Sequence, residues 1–303
     1  MKQYYPSIGI EKFCRLFGKT RQAFYDHNRR DSDEQLHEAL IIDCIRSIRS
    51  SIPGIGGLKL HMMIKEKLKL HHITIGRDRF FDLLREHGLL IKRRKRFVQT
   101  TYSNHPYRKW TNLIIDLKVT ATEQLWVSDI TYLRIDNSFV YLSLITDAYS
   151  RKIVGYHLSQ QLKAKGCIIA LKKAIASLSC SEDKRKLIHH SDRGIQYCCE
   201  PYVSILQENN ISISMTQTGS PYDNAVAERI NGILKHQLGL GKTFKNYNTA
   251  VDAVSKAIAA YNQLRPHMSI SNLTPEKAHF TNQKISQTWK KRKSSVKLWK
   301  ELN

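Results

Sequence analysis

Apolar positions recur at two different spacings along this chain, and the change of spacing divides it. Ahead of residue 121 the spacing is helical. In "SIGIEKFCRLFGKTRQAFYDHNRR" Ile10, Phe13, Leu16 and Phe17 repeat every three or four residues, Gly18 interrupts, and "KTRQAFYDH" resumes the pattern with Thr20 placed as an N-cap. Helix, Gly-containing turn and short helix make up a helix-turn-helix, and equally a plain helical hairpin. "DEQLHEALIIDCIRSIRS" predicts an amphipathic helix, and Pro53, Gly54, Gly56 and Gly57 predict a loop. "LKLHMMIKEKLKL" predicts a second helix and "GRDRFFDLLREHGLL" a third, capped at Gly88. These patterns divide the first part into a helix-turn-helix-like segment, 1–32, and a second helical module, 33–91.

From 121 the period shortens. "LWVSDITYLRI", "FVYLSLITDAYS" and "KIVGYHLS" read as three strands, the first two separated by a turn at "DNS". "KAKGCIIALKKAIASL" is a helix, "KLIHHSD" a short strand with a polar end, "CEPYVSILQENN" a helix, "ISISMT" a strand, and "SPYDNAVAERINGILKHQ" a loop leading into a helix. A further helix covers 245–265. The order β-β-β-α-β-α-β-α predicts an α/β domain over 121–280. It is a mixed sheet with flanking helices in the order of a ribonuclease H-like fold. The small all-helical, helix-turn-helix-type modules precede it, and a tail, 281–303, follows.

Charge changes the picture of the helical modules. The chain carries a net +23. Residues 1–120 hold +12 of it, 121–280 hold +5, and the last 23 residues hold +6. Basic ends around a more balanced middle point to a polyanionic partner, since each Lys or Arg meeting a phosphate releases counterions. The run Lys92, Arg93, Arg94, Lys95, Arg96 is too costly to bury and reads as a phosphate-tracking linker within 92–120. No apolar run approaches the length of a membrane span, and "MKQYYPSIGIEKF" has no apolar signal core, so no membrane role is expected. Six cysteines at 14, 44, 167, 180, 198 and 199 form no C-x-x-C pair, which argues against a structural zinc site and fits reduced thiols in a cytoplasmic protein.

Three acids stand out by position. Asp129 lies within the first strand, where an unpaired carboxylate is costly. Asp192 ends "LIHHSD", and Glu228 lies on the helix after "SPYDN". Carboxylate oxygens are hard ligands suited to Mg²⁺ or Mn²⁺, and two such ions can drive phosphodiester chemistry. At about 100° per residue, Asn224, Glu228, Asn231 and Lys235 form one narrow stripe opposite Val226, Ile230, Ile233 and Leu234. Glu228 is thereby expected off the face that packs on the sheet. Asp147, after "LSLIT", organises a turn more readily than it binds metal; His189 and His190 suit strand-end packing or hydrogen bonding; Trp126, Tyr132 and Tyr141 suit the core.

Taken together, "LWVSDITYL", "LITDAYSRKIVGYHL", "IHHSDRGIQY", "SPYDNAVAERINGILKHQ" and "YNQLRPHMSISNLTPEKA" resemble the integrase core of DDE transposases, and most of all the second-frame (OrfB) protein of the IS-three insertion-sequence family. "CRLFGKTRQAFY" and residues 33–90 resemble that family's N-terminal region. Asp192 and Glu228 have 35 residues between them, the spacing shared with retroviral integrases, and Lys235 matches a basic position near the DNA end. The resemblance implies Asp129, Asp192 and Glu228 as a triad for two Mg²⁺ ions, with Mn²⁺ able to substitute. It implies cleavage at element ends and transfer of a 3′-hydroxyl, with Asn224, Lys235 and the 92–96 run on DNA and with Asn231 and Asp147 accessory. It also implies double-stranded DNA, a homo-oligomer on that DNA and a first-frame protein as partners, in a bacterial cytoplasm on the nucleoid. The competing readings are a non-catalytic DNA-binding regulator of transposition and a structure-specific nuclease.

Overall fold

A computed structural model of the chain describes residues 9–91, 107–115, 117–136, 138–178, 187–217, 225–281 and 285. The basic run 92–96, Asn224 with the rest of the "SPYDN" loop, and the basic tail lie outside the described residues. The chain forms two compact units, residues 1–50 with 56–91, and residues 51–55 with 92–303.

The first unit is helical: α1 (Ile10–Leu16), α2 (Arg21–Ser51), α3 (Gly57–Lys69) and α4 (Arg77–Glu86). Thr20 caps α2 as expected, its hydroxyl accepting from the Ala23 amide at 3.1 Å. Nothing in residues 21–51 is Gly or Pro, so α2 runs unbroken through the boundary drawn at residue 32. Ile41, Ile45, Leu60, Ile64, Phe80 and Leu84 are buried, whereas Leu16 and Phe17 at the end of α1 are exposed. The chain leaves α4 through Gly88 with φ of 63°, the left-handed turn for which the pattern required glycine.

The second unit carries β1 (Leu125–Ile135), β2 (Ser138–Asp147), β3 (Ile153–Ser159), α5 (Ala164–Ala176), β4 (Ile188–Ser191), α6 (Ile195–Cys198), α7 (Glu200–Glu208), β5 (Ser212–Met215), α8 (Ala225–Gln237), α9 (Tyr247–Gln263) and α10 (Pro275–Phe280). Among the described residues the strands form one sheet in the order β3-β2-β1-β4-β5. β1, β2 and β3 are an antiparallel meander; β4 and β5 run parallel to β1. This is the ribonuclease H-like mixed sheet that the element order predicts.

Strand alternation sends side chains to two faces. Trp126 and Ile130 of β1, with Ile145 of β2, pack on Cys167, Ala170 and Leu171 of α5 and Tyr202 and Leu206 of α7. Leu125 and Val127, one residue out of phase, meet Ala227 and Val226 of α8. Asp129 shares this second phase and so belongs to the α8 face. α9 begins with a capping box in which Asn246 accepts from the Thr249 amide and Thr249 returns the bond. Among the described residues no helix is long and apolar enough to cross a membrane.

Candidate active site

The parallel pairing of β1 with β4 places Trp126 opposite His189 and Val127 opposite His190. Two residues further along each strand stand Asp129 and Asp192. Neighbouring strands lie about 4.8 Å apart and matched residues share a face, so the register itself brings these two carboxylates level on the α8 side. β4 ends at Ser191. Asp192 therefore sits where the sheet opens, half-buried, with its Oδ1 accepting from the Gly194 amide at 3.0 Å. A Cβ on residue 194 would come within 2.9 Å of that same oxygen, so glycine there leaves the carboxylate room.

Asp129 is buried in the middle of β1. Its Oδ1 accepts from the Ile130 amide at 2.9 Å, and its Oδ2 accepts from Asn231 Nδ2 at 2.6 Å. Burial, then the charge of Asp192, pushes the Asp129 carboxyl up to about 7; Glu228 adds to the rise, while the bonds from Ile130 and Asn231 oppose it. The sheet thus holds a carboxylate pair whose second negative charge is disfavoured as long as no cation shares the site. Such a donor set, hard oxygens under mutual repulsion, fits Mg²⁺ or Mn²⁺.

Asn231 corrects the expected orientation of the polar stripe on α8. It is buried, four positions after Ala227 and on the same side of the helix, so this member of the stripe lies beneath Asp129 and faces the sheet, while Glu228 stays off that face as expected. The reason is that β1 offers a polar partner inside the interface, and an Asn amide satisfies it where an apolar side chain could not. Asn231 Oδ1 is itself buried without a hydrogen-bond partner. Glu228 is exposed on the first turn of α8. It lies within electrostatic reach of Asp129, yet among the described residues no three His, Cys, Asp or Glu side chains are gathered closely enough to hold a metal. Lys235, one turn after Asn231, is half-buried and places its ammonium 4.4 Å from the centre of the Tyr132 ring. Burial lowers its pKa, and the Asp129 charge opposes that.

Asp147 is fully buried and organises the β2–β3 turn. Its Oδ2 accepts from the Glu123 amide at 2.8 Å, and its Oδ1 accepts from the amides of Tyr149 and Ser150 at 3.1 and 2.8 Å and from the Ser150 hydroxyl at 2.9 Å. His189 faces the α5 side. Its Nε2 lies 2.6 Å from Ser128 Oγ and 2.9 Å from Tyr202 Oη, and burial lowers its pKa to about 3, so the ring is neutral and joins both hydroxyls in one buried hydrogen-bond network. His190 Nδ1 is 2.8 Å from Ser214 Oγ. Both histidines tie strands together. Trp126 is core, but Tyr132 is 53% exposed, contrary to expectation. Tyr132 shares the face of Trp126 and Ile130, but it lies past the stretch that packs on the α5–α7 core.

The integrase core domain family matches residues 119–221, and a second integrase core domain family matches residues 209–275. The chain is 31% identical over 270 residues to the "Insertion element IS600 uncharacterized 31 kDa protein" of Shigella sonnei, covering 86% of this chain and 95% of the relative. It is 32% identical over 205 residues to "Transposase InsF for insertion sequence IS3A" of Escherichia coli K12, covering 67% and 69%. A solved HTLV-2 integrase catalytic core domain in complex with magnesium aligns with 52% of this chain and 97% of its own at 22% identity and a TM-score of 0.42.

Proposed function

This chain belongs to the IS-three family of insertion-sequence transposases and carries an integrase core, and we propose that its DNA transposase activity centres on Asp129, Asp192 and Glu228. The observation that carries this reading is the strand register, which puts Asp129 and Asp192 level at the open end of the sheet. Asp129 and Asp192 would hold a divalent cation between them. Glu228 would complete the set, which would serve two such ions. When bound, Mg²⁺ or Mn²⁺ supplies the charge that lets a water or a 3′-hydroxyl attack a phosphodiester near neutral pH and stabilises the leaving oxygen.

The chain's own residues do the rest. Asn231 fixes the direction of the Asp129 oxygens, leaving the carboxylate its remaining lone pairs. Gly194 keeps the space beside Asp192 open. Lys235 meets a phosphate close to the reacting one. The basic run 92–96, Asn224 and the tail would follow the DNA backbone. Element ends and target DNA would be the substrates and a homo-oligomer on DNA the working form, with a first-frame protein as a further partner, in the cytoplasm and on the nucleoid.

The test uses the full chain and labelled DNA carrying the terminal repeat. Cleavage and joining are expected with Mg²⁺ or Mn²⁺ and not with EDTA. Asp129→Asn should bind the same DNA within a few-fold and cut none of it; cleavage by that variant would overturn the assignment.

A further inference from the structure

The hairpin of β1 and β2 is packed on one side only at its far end. Thr131, Leu133, Val140 and Leu142 are buried on the α8 face. On the opposite face, past Ile130, the last residue of β1 packed on the α5–α7 core, Tyr132, Arg134 and Phe139 point outward, with Tyr132 53% and Phe139 42% exposed. Their neighbourhood follows from register: Tyr132 pairs with Tyr141 and Arg134 with Phe139, so Tyr132 and Phe139 are diagonal neighbours. The two rings meet edge to face at 5.4 Å, and the Arg134 guanidinium lies 5.5 Å from the Phe139 ring.

Lys235 joins this cluster from the other side of the sheet. The β1–β4 pairing covers Leu125–Val127, and Phe244 bridges Ile135 at the far end of the strand, so between these two points β1 has only β2 as a strand neighbour among the described residues. Over that open edge Lys235 reaches from α8 to the Tyr132 ring. One edge of one strand therefore carries the buried Asp129 and, three residues or about 10 Å further along, an exposed aromatic ring under a cation.

Two exposed rings with two cations against them form a surface for a flat π-system bearing negative charge. A duplex hides its bases; an unpaired strand offers base faces and phosphates together, and stacking on aromatics with nearby Lys and Arg is how single strands are held. We propose that Tyr132 and Phe139, with Arg134 and Lys235, form a stacking platform for unpaired nucleotides of a DNA strand next to the reacting phosphodiester. This rests on the reading of Asp129 and Asp192 as the catalytic site. It adds that the DNA end is opened there, its freed bases lying on Tyr132 and its phosphates on Lys235 and Arg134.

The experiment titrates the full chain, without divalent metal, into a single-stranded oligonucleotide carrying 2-aminopurine and into the blunt duplex of the same sequence. Moderate salt suppresses purely electrostatic binding. Wild type should quench the single-strand fluorophore. Tyr132→Leu should weaken single-strand binding by roughly tenfold and remove most of the quench, with duplex binding within twofold; Tyr132→Phe should restore both. Phe139→Leu should act in the same direction, more weakly. Single-strand affinity and quenching unchanged in Tyr132→Leu would overturn the platform. So would an equal loss for single strand and duplex, or a variant that changes only the self-association of the chain. Asp129→Asn should keep the quench. Loss of cleavage control by Asp129 with the quench intact would remove the catalytic reading alone, and cleavage intact with no Tyr132-dependent quench would remove the platform alone.

Discussion

Asp147 at the end of β2 and Asp129 in the middle of β1 are both carboxylates taken out of water, and they are held in opposite ways. Asp147 is surrounded by donors: three amides and the Ser150 hydroxyl. Each donor belongs to the turn or to the segment entering β1, so the carboxylate does the work of a bolt between them. Asp129 receives one backbone amide and the Asn231 side chain, and faces Asp192 with Glu228 beyond. Burial next to like charge stabilises nothing by itself. The fold needs the first carboxylate and merely tolerates the second, and a tolerated buried charge is what the proposed catalytic role of Asp129 requires.

The largest effects expected are on chemistry. If Asp192 and Glu228 act as proposed, Asp192→Asn and Glu228→Gln should each lower DNA cleavage by roughly a thousandfold or more, since each removes charge from the cation site. End-point gels on labelled element ends, alongside binding assays, measure this. Asp147→Asn, assayed well below its melting temperature, should retain activity per folded molecule.

Stability should move in opposite directions for the two aspartates. The Asp129 carboxyl is held at about 7 in the folded chain against an ordinary value of 3.8. The folded state therefore keeps the proton longer, so this residue costs nothing below about pH 4. Stability of the metal-free protein falls as pH rises from about 4 to about 7, and the full cost, up to about 4 kcal/mol, persists above. Asp129→Asn should remove that cost and raise the melting temperature at pH 8 more than at pH 5. Asp147→Asn turns an acceptor toward donors it cannot all satisfy and should lower stability by about 2–4 kcal/mol. Calorimetric melts at the two pH values decide both.

Smaller effects refine the contrast. Asn231→Ala should reduce activity about ten- to a hundredfold and raise the metal concentration needed, as loss of a partner that orients a ligand does. A metal titration of the cleavage rate reads this out. Ser150→Ala removes one donor of four from Asp147 and one partner of His279; a loss of about 1 kcal/mol with unchanged activity is expected from denaturant melts.

The sheet was legible because β1, β2 and β3 are rich in β-branched, aromatic and aliphatic residues and are joined by turn residues, and because a helix crossover between β3, β4 and β5 has few arrangements. The unusual place of Asp129 was legible because a carboxylate within "LWVSDITYL" has no apolar explanation. The continuity of α2 was not legible: "DHNRRDSDE" has no apolar period, and only the lack of Gly and Pro hints that the helix persists. The roles of Asn231 and Tyr132 depend on tertiary placement. Which side of α8 meets β1, and where α5 stops covering the sheet, are set by packing between distant segments that a helical wheel and a strand pattern treat one at a time.

The contrast between the two aspartates is tested most directly by cation-induced shifts in melting temperature at pH 7.5. Wild type, Asp129→Asn and Asp147→Asn are each melted in EDTA and in Mg²⁺ or Mn²⁺. Wild type should gain melting temperature on adding the cation. Asp147→Asn should start lower and gain as much, and Asp129→Asn should start higher and gain almost nothing. A cation-dependent gain in Asp129→Asn equal to that of wild type, or its loss in Asp147→Asn, would contradict the assignment of Asp129 as the charge-poised ligand.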